Sequence, residues 1–83
     1  MWASCFTPLE QLKAFGLTVR HYRTQLAISQ EELAERAGFH RTYIGQVERG
    51  ERNPALVNIL KLCEALAVAP PDFFAYYSKN NNA

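Results

Sequence analysis

Gln30-Glu-Glu-Leu-Ala-Glu-Arg-Ala-Gly38-Phe-His-Arg-Thr-Tyr-Ile-Gly-Gln-Val-Glu-Arg-Gly50 is the stretch that decides the fold. Its small, apolar and glycine positions fall where two short helices packed across a tight turn need them. Leu33, Ala34 and Ala37 form an apolar stripe on the first helix, and Gly38 can take the positive φ that ends it. Ile44 and Val47 form the inner stripe of a second helix starting near Arg41. Ala34 sets the geometry, since a larger side chain there would hold the two helix axes apart. The outer face of the second helix presents His40, Arg41, Thr42, Tyr43 and Gln46, a set of donors and acceptors.

Outward from this stretch the start signals repeat. Ser29-Gln-Glu-Glu32 reads as a capping box, with Ser29 accepting from the third helical N–H and Glu32 reaching back. Thr7-Pro8-Leu9-Glu10 reads as another, with proline at the first helical position. From there Leu12, Phe15, Val19, Tyr22 and Leu26 recur at the amphipathic spacing. Gly16 weakens that helix by roughly 1 kcal/mol relative to alanine, which predicts a bend or break there and a main first helix beginning near Phe15. Asn53-Pro54 predicts the start of a longer helix to about Ala67, with Leu56, Ile59, Leu60, Cys63 and Leu66 facing inward. A last short helix starts at Pro70 or Pro71, has Asp72 near its positive end, and carries Phe73, Phe74, Tyr76 and Tyr77. No segment alternates with the period of a strand, so the expected fold is all-α with five helices.

At 83 residues the chain is expected to be one domain over 1–83, its core at about 8–77, with a short N-terminal arm and a disordered tail from Ser78 to Ala83. A chain of this size buries only about 60 % of its unfolded surface, so its stability is expected to be modest or partner-assisted. The formal charge of +1 argues against bulk coating of nucleic acid and leaves room for a local basic patch. Glu31, Glu32 and Glu35 crowd the first helix of the pair, whereas Arg41, Arg49 and Arg52 surround the second. No apolar run approaches a bilayer span, and Met-Trp-Ala-Ser-Cys-Phe lacks the features of a secretory signal, so the expected location is the cytoplasm. Cys5 and Cys63 are expected as free thiols. Together with His21 and His40 they offer no paired metal-ligand spacing, and no nucleophile has a base and orienting acid beside it. Neither a metal, a cofactor nor an enzymatic activity is expected.

Leu17-Thr-Val-Arg-His-Tyr-Arg23, Ile28-Ser-Gln-Glu-Glu-Leu-Ala-Glu-Arg-Ala-Gly38, Tyr43-Ile-Gly-Gln-Val-Glu-Arg-Gly-Glu-Arg-Asn-Pro54 and Leu60-Lys-Leu-Cys-Glu-Ala-Leu66 together resemble the phage-repressor (Cro-like, Xre-like) helix-turn-helix family. Within it, Arg41 to Asn53 looks most like the controller proteins of restriction-modification systems. The resemblance implies sequence-specific binding of duplex DNA by a homodimer on a palindromic operator and control of transcription, of its own gene among others. RNA polymerase is a further candidate partner.

By the family pattern, Arg41, Thr42 and Gln46 are the base readers, with His40 and Tyr43 at the edge of the contact. Arginine suits guanine O6 and N7, and glutamine suits adenine N6 and N7. Gln30, Arg49 and Arg52 are expected on phosphates, and Arg23 with Glu48 as an internal ion pair. His40 stands where serine or threonine usually caps the helix, and Gly45 replaces a longer side chain. Gly45 reads equally as neutral drift or as room for close approach of the backbone. The terminal aromatics exceed what a small core can hide, so Phe73, Phe74, Tyr76 and Tyr77 are candidates for a dimer interface, with Leu62 secondary. A rival reading keeps the fold but binds a protein instead, as an antitoxin does.

Overall fold

Thr7 opens the first helix by the capping box read from its sequence. Its hydroxyl accepts from the Glu10 N–H at 3.1 Å, and the Glu10 carboxylate accepts from the Thr7 N–H at 3.0 Å. The computed structural model describes residues 7–81, and the expected N-terminal arm, with Cys5, lies outside them. Five helices follow: α1 (Pro8–Gln25), α2 (Gln30–Ala37), α3 (Arg41–Glu48), α4 (Leu56–Ala65) and α5 (Pro70–Asn81). Every regular element among the described residues is a helix, which makes the chain all-α. α1 packs on α3 and α5, and α2 on α3 and α4. Phe15, Val19, Leu33, Ile44, Val47, Leu62 and Phe73 meet in the centre.

α2 and α3 form the tight pair expected. Gly38 takes φ 80° at the turn, Ala34 is 3 % exposed, and the Phe39 N–H bonds back to the Ala34 carbonyl at 2.8 Å. The Ser29 hydroxyl accepts from the Glu32 N–H at 3.0 Å, but the reciprocal half of that box is not made. The Glu32 carboxylate turns instead to Arg36 at 2.8 Å, one helical turn on.

Four expectations are corrected. α1 does not break at Gly16. It runs unbroken from Pro8, because Gly16 is where α1 lies against the end of α3: a Cβ there would fall 2.5 Å from the Glu48 carbonyl oxygen and nearer still to that of Val47. α4 starts at Leu56, with Ala55 rather than Asn53 as its N-cap and no side-chain cap. Pro54 stays outside the helix and lines a groove with Leu12, Phe15, Ile59, Phe74 and Tyr77. The inward face of α4 is also only partly the one expected: Cys63 and Leu66 are buried and Ile59 packs on the core, but Leu56 and Leu60 are 67 % and 46 % exposed and Leu62 is buried in their place. Finally, α5 continues through Ser78 to Asn81 where a disordered tail was expected.

α1 and α4 stop without a glycine. Ala27 and Ala67 each take φ 56°, the left-handed conformation that Gly38 provides after α2.

Candidate nucleic-acid interface

Helix α3 is the element to which the outward polar residues belong, and its two sides are unlike. Ile44 and Val47 are fully buried and hold it down, while Arg41 and Thr42 are exposed and Gln46 is half-buried. His40 does the work of the serine or threonine usual at the N-cap. Its Nδ1 accepts from the Thr42 N–H at 3.1 Å, so the helix begins at Arg41 with a bare imidazole nitrogen as its cap.

The charge on α3 is set by what happens to Glu48. Arg23 reaches across from α1 and grips it with two bonds, Nε to Oε2 at 2.6 Å and Nη2 to Oε1 at 3.0 Å. Gln30 donates to Oε1 as well, at 3.0 Å, and a third nitrogen of Arg23 donates to the Ile28 carbonyl at 2.9 Å. The two charged side chains are 13 % and 4 % exposed. This network ties α1, α2 and α3 together, and it neutralises the one acid of the α3 helix inside the fold. What α3 shows outward is therefore cationic and neutral-polar.

The loop after α3 extends that surface. Arg49 forks onto Glu51 at 2.9 and 3.2 Å, both side chains standing in water. The hydrogen bonds from Arg49 hold the Glu51 carboxyl below the usual carboxylate range, and the same bonds raise Arg49. Arg52 folds back over the Tyr43 ring, 5.1 Å from its centroid, and its Nη1 approaches the Gln46 carboxamide oxygen at 3.4 Å. Arg41, Thr42, Gln46, Arg49 and Arg52 thus belong to one continuous segment, the outer side of α3 and the loop behind it.

Two of the residues singled out in the sequence are less open than expected. Tyr43 is half-buried, packs on Phe39 at 4.8 Å, and accepts a hydrogen bond from Asn58 at 3.2 Å. It acts first as a support under Arg52. Gln30 is half-buried with its amide committed to Glu48, so bracing α3 is its visible role. The space left by the missing side chain of Gly45 is filled by the guanidinium of Arg49, whose Nη1 lies 3.2 Å from where a Cβ would stand.

The candidate interface between copies changes more. Leu62 and Phe73 are 0 % exposed and belong to the core, so neither can meet a partner. Phe73 packs between Phe15 and Tyr22, 5.3 and 6.0 Å from their ring centroids. Tyr76 is half-buried and stacks on His21 at 3.8 Å. Tyr77 is half-buried beside Phe74, which is 38 % exposed. Missed in the sequence are Leu56, Val57 and Leu60, which stand 67 %, 62 % and 46 % exposed on the first turns of α4. The signal for them was an excess: α4 carries more large apolar residues than one buried stripe can hold.

No helix among the described residues is long and apolar enough to cross a membrane, and none of their His, Cys, Asp and Glu side chains form a group of three able to hold a metal ion. Cys63 is buried, and burial pushes its thiol up.

Comparison with known proteins agrees with this geometry. The helix-turn-helix family matches over residues 19–73. Control protein C.SmaI from Serratia marcescens is 46 % identical over 67 residues, covering 81 % of this chain and 77 % of that protein. Among solved structures, the restriction-modification controller protein C.AhdI from Aeromonas hydrophila shares 49 % identity at a TM-score of 0.72, covering 78 % of this chain and 97 % of that one. The restriction-modification controller protein C.Esp1396I, solved as a tetramer on its natural 35 base-pair operator, matches at a TM-score of 0.83 and 26 % identity, over 88 % of this chain and 96 % of that one.

Proposed function

The chain belongs to the helix-turn-helix family, and from that premise we propose that it is a transcriptional regulator of the restriction-modification controller kind, binding a palindromic operator as a homodimer. The observation that carries this reading is the two-sided character of α3, apolar side locked in the core, acid neutralised by Arg23, and Arg41, Thr42 and Gln46 left outward. That face suits the major groove, with Arg41 and Gln46 reading base edges, Thr42 beside them, and Arg49 and Arg52 holding phosphates. His40 and Gln30 act chiefly by fixing the ends of α3 and α2.

Two copies place two such helices about 34 Å apart, one turn of B-DNA. We assign the contact between copies to Leu56, Val57 and Leu60 of α4 with Phe74 of α5, four large apolar side chains that stand exposed on two helices in contact with each other. The tetrameric state of C.Esp1396I on its operator supports assembly. The protein then works in the cytoplasm beside RNA polymerase, on the promoter of its own gene among others.

Gel-shift titration tests this with the duplex directly upstream of the chain's own coding sequence. Wild type binds it in preference to a scrambled duplex, whereas Arg41→Ala loses roughly 1–3 kcal/mol of that preference. Leu60→Asp sediments as a monomer at micromolar concentration where the wild type is a dimer. An Arg41→Ala variant with unchanged affinity and preference overturns the assignment of α3 and moves the protein-binding reading ahead.

A further inference from the structure

Tyr43 connects two parts of the molecule that the DNA-reading face alone does not explain. Its hydroxyl accepts a hydrogen bond from the Asn58 amide at 3.2 Å, and both side chains are half-buried. Its ring is flanked by Phe39 at 4.8 Å and carries the Arg52 guanidinium at 5.1 Å. Arg52 in turn approaches Gln46 at 3.4 Å. A ring packed at a tilt against Phe39 and held by its hydroxyl is restrained, and a cation resting on a restrained ring has one favoured place. Asn58 is on α4, outside the helix pair, and directly follows Val57 of the exposed apolar patch.

We propose that Asn58 is a positioning residue for sequence discrimination: it holds Tyr43, through Tyr43 it holds Arg52 beside Gln46, and it thereby joins the α4 surface to the reading face of α3. This rests on the DNA-binding function proposed above. Removing the amide or the hydroxyl frees the same ring, so either change alone produces the whole effect. Arg52 then samples many placements and no longer steadies the Gln46 carboxamide, so discrimination at the base pairs that Gln46 faces falls while attraction to the duplex as a whole persists.

Selection from a randomised duplex library, followed by affinity measurement on the selected sequence and its single-position variants, tests the chain of contacts. Asn58→Ala and Tyr43→Phe each reduce discrimination at those positions by about fivefold, the equivalent of one hydrogen bond of about 1 kcal/mol. The double variant falls no further than either single one. Asn58→Asp, which accepts from the Tyr43 hydroxyl instead of donating to it, binds every duplex more weakly through its charge but keeps the preference. Melting curves and sedimentation of the same variants separate this from general damage, since loosened packing lowers melting without flattening the preference.

Intact discrimination in Asn58→Ala, or losses that add in the double variant, overturns the proposal while leaving the DNA-binding function standing. A wild-type protein that selects no sequence at all removes both.

Discussion

Gly16→Ala and Gly45→Ala are the same substitution in the interior of two helices, and helix propensity alone predicts that each stabilises the fold by up to about 1 kcal/mol. The structure predicts opposite signs. At Gly16 the new Cβ lies 2.5 Å from the Glu48 carbonyl oxygen, 2.8 Å from the carbon behind it, and nearer still to the Val47 oxygen, where ordinary contact begins at 3.4 Å. Every one of these atoms is backbone, so no rotamer change gives relief, and α1 and α3 must part by at least about 0.9 Å, the difference between 3.4 and 2.5 Å. Overpacking of this kind costs about 1–3 kcal/mol, at the upper end where the atoms met are backbone and cannot swing away. Setting the propensity gain against it leaves a net loss of about 2 kcal/mol, which for a domain this small lowers the melting temperature by about 10 °C.

At Gly45 the nearest atom is the Nη1 of Arg49 at 3.2 Å, the far end of a flexible exposed side chain that moves aside easily. Gly45→Ala therefore leaves melting unchanged or raises it. Urea denaturation of the two variants in parallel measures both. A stabilised Gly16→Ala, or equal effects at the two sites, would refute the reasoning that α1 and α3 touch backbone to backbone there.

Glu48→Gln leaves the buried Arg23 guanidinium without its anion and costs about 3–5 kcal/mol, read as a large drop in melting temperature; an unchanged curve removes the claim that the pair is buried. Phe73→Ala and Phe74→Ala separate core from interface. The first costs about 3–5 kcal/mol of folding stability, whereas the second shows mainly as weakened dimerisation in sedimentation, and a swap of these outcomes contradicts the exposures. Cys63, buried and with its thiol pushed up by that burial, resists alkylation in the native protein and reacts on unfolding, as peptide-resolved mass spectrometry of iodoacetamide-treated samples will report. Because its folded pKa is raised, the stability this thiol contributes is present below the ordinary thiol range and lost as pH rises above it.

What could be read from the sequence was what is decided within a few residues. Thr7 with Glu10, Ser29 before Glu32, Gly38 at the turn and Pro70 at a helix start are local choices between neighbours on the chain. The paired helices and the buried faces of α2 and α3 were equally legible, because their apolar residues leave one stripe only. α4 was not, since Leu56, Val57, Ile59, Leu60, Leu62, Cys63 and Leu66 satisfy the helical period in more than one register and the partner chooses between them. Gly16 read as a weak point because its reason lies on α3, about thirty residues away. The stops of α1 and α4 carry no glycine to announce them. For the candidate site, the residue types on α3 were readable, but their supports were not: that Tyr43 stands under Arg52 and is held by Asn58 depends on α4 lying alongside.

The fork between Arg49 and Glu51 gives the free protein a counter-ion of its own at the face proposed to meet DNA. When a phosphate takes Arg49, the arginine exchanges one anion for another, and the released carboxylate gathers a cation from solution. Each phosphate neutralised by an unencumbered cation adds about 0.9 to the slope of log affinity against log salt, and for Arg49 most of that share is cancelled by the exchange. Arg52, resting on a neutral ring, has no such competitor and keeps its full share. Glu51→Gln therefore both tightens binding in dilute salt and makes it more sensitive to added salt, a pairing of effects that distinguishes two arginines which look alike in the sequence.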